Sequence, residues 1–290
     1  MTVLLFGATG RIGPHVAREL VARGVSVTAL VRDPARAATV LPAAVALVPG
    51  DFHDDRAVQR ALDDATSLLL LTPHGPDMAA TQQRLIGWAA KTGTRVVKIS
   101  GTSSAIRADG PDAGRQHWQA EQDLARSGLG FVILRPNAFM QTLLPPVAAS
   151  VRANGVVVNP LGRAGLSLVD CADIAAAAAA VLTDDRHDGQ TFALTGPGAA
   201  TYADIAAVIE AVTGRTAVVV DATPEAMAET ARARGASEWE ARHLAEMLTL
   251  FRTGASEFLT DDVERLTGRP PRSVADYVRD HAGEFTAAES

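Results

Sequence analysis

The sequence predicts an α/β fold: a doubly wound parallel sheet followed by a smaller mixed α/β region. Three observations carry this prediction. An apolar run, Val3-Leu4-Leu5-Phe6, passes through a glycine-rich turn straight into an amphipathic segment over residues 14–23. Short apolar runs then alternate with amphipathic segments as far as Pro136, the pattern of right-handed crossovers that builds parallel sheets. Ser67-Leu68-Leu69-Leu70-Leu71 is apolar at successive positions, as a strand covered on both faces must be.

Each element has its own reason. A second strand is expected at residues 25–31, rich in Val and Thr, and a helix starts at Asp33-Pro34, a cap followed by the residue whose missing N–H costs nothing at the first helical position. The third strand, 45–48, ends at Pro49-Gly50-Asp51, and a helix follows at 55–62. Strands at 67–71, 95–100 and 131–134 flank helices at 78–92 and 115–127, which stop at Gly93 and Gly128 because glycine takes the left-handed C-terminal conformation without strain. After Arg135-Pro136 the segments shorten, punctuated at Asn159-Pro160, Gly162, Gly165 and Gly196-Pro197-Gly198. The reading there is a helix at 170–182 with Asp170 or Asp173 at its start, a strand at 191–195 and a helix at 201–213. Thr201, with Asp204 three residues on, caps that helix. A strand at 216–220, a largely helical stretch at 224–251, helices at 260–266 and 273–281, and a frayed tail at 284–290 complete it. The expected division is a nucleotide-binding Rossmann-type unit over residues 1–136 and a mainly substrate-binding region over 137–290, some of whose segments return to the main sheet.

Composition narrows the class. A chain of 290 residues with 47% hydrophobic and 21% charged residues buries a large core and is not disordered. A net charge of −6 without a Lys/Arg run argues against nucleic acid as a partner. Cys171 is the sole cysteine, which excludes a disulfide framework and a thiolate zinc site, and no other metal site is expected. Its expected role is that of a small buried hydrophobe. The N-terminal apolar run is too short for a signal peptide, and residues 174–182 are too short to span a bilayer. The expectation is a soluble cytoplasmic protein without a membrane partner, with a homodimer as the default assembly.

The turn Gly7-Ala8-Thr9-Gly10-Arg11-Ile12-Gly13 carries the first functional signal. A tight turn into a helix N-terminus aims backbone N–H groups and the positive end of the helix dipole at one point, an anion site. With a strand before it and a second strand about 30 residues on, it reads as the pyrophosphate cradle of a dinucleotide. Its residues Gly7, Thr9, Gly10, Arg11, Ile12 and Gly13 are therefore assigned to the cofactor. Arg32 stands where an acid would otherwise accept from the ribose 2′-OH, Arg36 follows one turn later, and Arg11 lies in the loop. Guanidinium groups there favour the 2′-phosphate of NADP(H) over NAD(H). Asp33 is the complication, because it could serve either the ribose or the helix as a cap.

Several motifs in order resemble those of the NmrA-like, atypical short-chain dehydrogenase/reductases. They are the glycine turn, Leu30-Val31-Arg32-Asp33-Pro34, Gly50-Asp51-Phe52-His53-Asp54, Val97-Lys98-Ile99-Ser100, His117 with Glu121, and Leu134-Arg135-Pro136-Asn137-Ala138-Phe139-Met140-Gln141. Val169-Asp170-Cys171-Ala172-Asp173-Ile174-Ala175, Leu194-Thr195-Gly196-Pro197 and Val274-Ala275-Asp276-Tyr277-Val278 follow. The resemblance is greatest to bacterial NAD(P)H-dependent quinone or azo-compound reductases. It implies that Asp51 holds the adenine amino group, that Phe52 packs on the ring, and that Thr72, Pro73 and Ser100 lie beside the nicotinamide end. A turn is the competing reading of Asp51.

The Tyr-x-x-x-Lys pair of better-known short-chain dehydrogenases is missing; both tyrosines, Tyr202 and Tyr277, lie far downstream. His117 and Glu121 stand in the corresponding places, on one helix face at i, i+4. The expectation is that Glu121 orients and charges His117, which protonates or polarises the substrate. A surface helix pair without chemistry is the alternative. Thr102 is the candidate hydroxyl beside a substrate carbonyl. Asn137, Phe139, Met140 and Gln141 are expected to wall the pocket of a small-molecule substrate, or else to be core between the two regions. The resulting reading is an NADPH-dependent oxidoreductase acting on a small apolar carbonyl, quinone or similar acceptor. The alternatives are a nucleotide-sensing regulator without turnover, and a non-redox isomerase or dehydratase that retains the cofactor.

Overall fold

The computed structural model describes residues 1–286. The first half runs β1 (Thr2–Leu5), α1 (Gly13–Ala22), β2 (Ser26–Val31), α2 (Pro34–Val40), β3 (Ala46–Pro49), α3 (Asp55–Leu62), β4 (Ser67–Leu70), α4 (Met78–Thr92), β5 (Arg95–Ile99), α5 (Asp112–Arg126) and β6 (Phe131–Pro136). The second half continues α6 (Met140–Asn154), β7 (Val156–Asn159), α7 (Cys171–Leu182), β8 (Thr191–Leu194), α8 (Tyr202–Thr213) and β9 (Val218–Asp221). Then come α9 (Pro224–Ala233), α10 (Glu238–Arg252), α11 (Asp262–Thr267), α12 (Val274–Asp280) and α13 (Ala282–Phe285).

Seven parallel strands form the main sheet in the order β3-β2-β1-β4-β5-β6-β8. The order reverses between β1 and β4, and a ligand crevice opens beyond the strand ends at such a reversal. Successive residues of a strand face opposite sides. Val3, Leu5, Leu69, Val97 and Leu134 meet α1 and α7 on one side, and Leu4, Phe6, Leu68, Leu70, Val96 and Ile133 meet α3, α4 and α5 on the other. By the same alternation Lys98 and Ser100 lie on the α5 side, where their bonds to His117 and Glu121 are made. From the second half, β8 pairs with β6 and α7 packs across α1.

A second layer holds the parallel pair β7–β9. Its own core joins Leu144 and Val147 of α6, Val157 of β7, Ile205 and Ile209 of α8, Tyr277 of α12 and Phe285 of α13.

Two local readings change, and two elements are added to them. Residues 140–154 form a helix despite Pro145 and Pro146 within it; burial of Leu144, Val147, Ala148 and Val151 outweighs the backbone bonds those prolines remove. Strand β7 had no separate signal, because its four residues pair only with β9, 62 residues downstream at Asn159 and Asp221. Helix α5 begins at Asp112 rather than 115. The expected frayed tail is helical over Ala282–Phe285, with Phe285 fully buried; the rest of that expectation, residues 287–290, lies outside the described residues.

Candidate active site

The glycine turn is built as a cradle. Gly7 has φ +70°, and a Cβ there would lie 2.7 Å from the Leu71 carbonyl oxygen. A Cβ on Gly13 would stand 2.4 Å from the Gly7 oxygen and 2.5 Å from Ala8 Cα, so side chains are barred from both ends of the turn. Between them Thr9, Gly10 and Arg11 are exposed. Helix α1 has no side-chain cap, with Ile12 at its N-cap and no acid in its first turn. Among the described residues, the N–H groups of Arg11, Ile12 and Gly13 have no protein acceptor. Unpaired donors at a helix N-terminus suit a pyrophosphate. Ile12 itself points inward, 2% exposed, so its part is its backbone.

Beside the cradle, Asp33 is committed to the helix: its carboxylate accepts from Arg36 N–H at 3.0 Å and caps α2. That leaves Arg32, whose side chain is 81% exposed and only 3.8 Å from Asp51, together with exposed Arg11 and Arg36. Asp51 also accepts from His53 N–H at 2.8 Å, as a turn residue. Arg84 of α4 grips the Phe52 carbonyl and Asp55, which fixes Phe52 at the edge of a cleft of about 190 Å³. Pro73 and His74 line the same cleft, as does Thr72, whose hydroxyl accepts from Gln82 at 2.7 Å. A shallow pocket of about 270 Å³ lies elsewhere, between α1 and the start of α7, and faces none of these groups.

The pairing expected of His117 is not the one made. Glu121 turns away from it, accepting from Ser100 Oγ at 2.6 Å and from the Arg135 guanidinium through both oxygens. The i, i+4 spacing puts both side chains on one helix face, but Arg135 and Ser100 fall within reach of Glu121 and take it. His117, 3% exposed, bonds Lys98 Nζ through Nδ1 at 2.9 Å and His74 Nε2 through its own Nε2 at 3.0 Å. Burial, then the charge of Lys98, holds its imidazole well below the usual range. It is a neutral ring and not a charged acid. Lys98 is fully buried between Leu70 and Ile133 of the flanking strands. Burial lowers its ammonium to about 7, against the pull of Glu121 and with the help of Arg135.

Most of the expected substrate wall is occupied with internal work. Asn137 donates to Ser167 Oγ at 2.5 Å and to the Ser256 carbonyl at 2.9 Å. Thr102 meets Ser104 at 3.1 Å, and Ser104 meets Ser256 at 2.7 Å. Together they bolt the segment around Ser256 over the ends of β5 and β6. Met140 is core, with no exposed surface. Gln141 clamps the start of α7 by accepting from Cys171 N–H and donating to Asp170, both at 2.9 Å. Phe139 stays half-buried. Ser100, expected at the cofactor, is spent on Glu121. Cys171 is buried and its thiol is pushed up to about 12, so it is inert.

The sequence reading missed Lys98, His74, His243 and Trp239. His243 of α10 stacks on Trp239 at 5.1 Å and meets His74 edge-on at 5.2 Å. One signal was available: a lysine inside an otherwise apolar strand, Val96-Val97-Lys98-Ile99, has to be paired from outside the strand. Among the described residues no group of three or more His, Cys, Asp or Glu is placed to hold a metal ion, and no helix is long and apolar enough to cross a membrane.

Residues 1–266 match the model of the NmrA-like family. The chain belongs to the NmrA-like family. This NmrA-like protein is 33% identical over 287 residues to the NAD(P)H azoreductase of Xenophilus azovorans, covering 99% of this chain and 100% of that one. It is 34% identical over 290 residues to the (4-alkanoyl-5-oxo-2,5-dihydrofuran-3-yl)methyl phosphate reductase of Streptomyces griseus, covering 98% and 99%. In fold it is similar to the NADPH-dependent quinone oxidoreductase of Escherichia coli solved with NADPH: TM-score 0.87 at 24% identity, covering 98% of this chain and 100% of that one.

Proposed function

We propose that this protein is an NAD(P)H-dependent oxidoreductase that uses NADPH to reduce a small, flat, apolar acceptor such as a quinone, an azo compound or a conjugated carbonyl. The observation that carries the reading is the cradle at residues 7–13, where the N–H groups of Arg11, Ile12 and Gly13 have no acceptor among the described residues. Relatives that match this chain from end to end bear the names of reductases. When bound, the dinucleotide supplies the hydride. The protein's own residues bind and orient it. Arg11, Ile12 and Gly13 present N–H groups to the pyrophosphate, and Phe52 and Pro73 flank the cleft beyond β3 and β4. Arg32 and Arg36, released from competition by the commitment of Asp33 to its helix, favour a 2′-phosphate.

Two measurements test this. NADPH absorbance is followed with a panel of quinones and azo dyes; the expected result is acceptor-dependent oxidation. Tight NADPH binding with no oxidation by any acceptor would instead favour a nucleotide sensor. The affinities for NADPH and NADH are then compared in the wild type and in Arg32→Ala/Arg36→Ala. The double variant should lose roughly 10- to 100-fold for NADPH, the worth of one or two charge-assisted hydrogen bonds, and little for NADH. An unchanged preference would remove these arginines from the 2′-phosphate.

A further inference from the structure

Lys98, His117 and His74 form one unbroken hydrogen-bonded file. It starts at a fully buried ammonium group in the middle of the sheet and ends at an imidazole that lines the cleft beyond β4. The rings of His74 and His117 meet at 73° with centroids 5.1 Å apart. The file is held from both sides. Gln116, next to His117 on α5, donates to the Gly75 carbonyl and accepts from Ala79 N–H, both at 3.0 Å, which ties the His74 loop to the helix. The far face of His117 lies against the backbone of Gly101, where a Cβ would come within 3.2 Å of its ring. His74 is exposed at the cleft, and its Nδ1 has no protein partner among the described residues.

We propose that this file is a proton relay that delivers to the reduced acceptor the proton that must accompany hydride. The inference rests on the reductase reading above and names the residues that complete its chemistry. Hydride breaks the C–H bond of the reduced nicotinamide and forms a new bond on the acceptor, leaving an oxygen or nitrogen anion. That anion takes the proton of His74 Nδ1. His74 Nε2 then takes the proton from His117 Nε2, and His117 Nδ1 takes one from the Lys98 ammonium, which becomes the neutral amine. The end state is the mirror of the first: each short contact still holds one proton, with donor and acceptor exchanged. Solvent reprotonates His74 Nδ1 at the cleft and runs the file back. His74 is the catalytic residue; His117 and Lys98 act through it.

The charges around the file suit this task. Glu121 and Arg135 face Lys98 from α5 and β6, and His243 faces His74 from α10, with Asp112 and Glu246 behind it. Burial holds the His117 imidazole below its usual range, and the packing of α5 and α10 around its ring, then the charges of His243 and Lys98, lowers that of His74 although the residue is exposed at the cleft, so near neutral pH both rings are neutral and each can pass a proton from one nitrogen to the other. Lys98, lowered to about 7, is the one group of the file able to hold the proton at that pH and also give it up. A lysine kept only for packing gains nothing from this arrangement, since methionine of similar length would avoid the desolvation cost.

Ring-nitrogen NMR of the unliganded protein reads the file without turnover. As pH rises through the titration of Lys98, His117 should pass from the Nε2–H to the Nδ1–H tautomer and His74 from Nδ1–H to Nε2–H. In Lys98→Met neither ring should change. Titration of Lys98 with both tautomers fixed overturns the relay. A kinetic comparison uses two acceptors: a quinone, which needs hydride and a proton, and a cationic triarylmethane dye, which needs hydride alone. His74→Gln and Lys98→Met should slow quinone reduction by roughly 100-fold more than dye reduction, the usual worth of a positioned acid. His74→Gln alters only the cleft end of the file and guards against misfolding of the buried variant. Equal losses on both acceptors, or no loss on the quinone, overturn the relay and leave the reductase reading standing. Failure of the wild type to oxidise NADPH with either acceptor sinks the reductase reading, and the relay with it.

Discussion

Gly13 illustrates what a single residue decides. Its missing side chain lets the first turn of α1 close against Gly7 and Ala8, beside three N–H groups without an acceptor among the described residues. Gly13→Ala forces a carbon to within 2.4 Å of a backbone oxygen, so the turn must open. The expected outcome is a loss of NADPH affinity of at least tenfold by calorimetry, with destabilisation of about 1–3 kcal/mol, as for other overpacked sites. Wild-type affinity in that variant would separate the cradle from the cofactor. Lys98 is the second such residue. Its pKa falls from 10.5 to about 7 on folding, so between these pH values the unfolded chain binds the proton that the folded one has released. Stability from this group therefore rises with pH from about 7 to 10.5, and below 7 the full cost of the buried charge is present. Lys98→Met removes that slope. Urea melts at several pH values should show the variant gaining most over wild type at or below neutrality, on the order of a few kcal/mol. A gain independent of pH would show that Lys98 is not the source.

At the scale of an element, α7 depends on one carboxylate. Asp170 is 4% exposed and accepts from Ala172 N–H at 2.8 Å, from Gln141 at 2.9 Å and from Arg272 Nε at 3.2 Å. It caps the helix, and it also joins α6 and the segment before α12 to it. Asp170→Ala should cost roughly 2–4 kcal/mol, more than a surface cap, because a part-buried amide and a guanidinium lose this acceptor together. A denaturation midpoint close to wild type would reduce Asp170 to an ordinary cap. The same scale explains the helix carrying Pro145 and Pro146. Prolines disfavour a helix interior, and one apolar face buried in the second core prevailed.

Across the whole molecule, the chain's second half completes the first. Strand β8 covers the open edge of β6, and the alanine-rich α7 covers α1. A fragment ending at residue 136 would expose both an unpaired strand edge and an apolar helix face. It should be insoluble or show only a broad, non-cooperative urea transition, whereas the full chain melts cooperatively. A soluble, cooperatively folding fragment would make the two halves independent. The site depends on the same closure: the segment around Ser256 is bolted by Asn137 and Ser104 over the strand ends, and α10 brings Trp239 and His243 to His74.

By itself the sequence determined the parallel sheet, the order of its elements in the first half and the tight glycine turn into α1. These follow from local spacing: period two in strands, 3.6 in helices, and glycines at a turn into a helix. It also put His117 and Glu121 on one face of one helix. Only the tertiary structure decided whom those residues meet. Glu121 goes to Arg135 and Ser100, and His117 to Lys98 and His74, partners 19 and 43 positions away, while Ser104 finds Ser256 at a separation of 152. Asn137, Met140 and Gln141 read as pocket wall or as core between the two regions, and packing with the second half made them bolt, core and clamp. Side-chain pairing across such separations is set by sheet order and by where helices come to rest, and no local pattern along the chain encodes it.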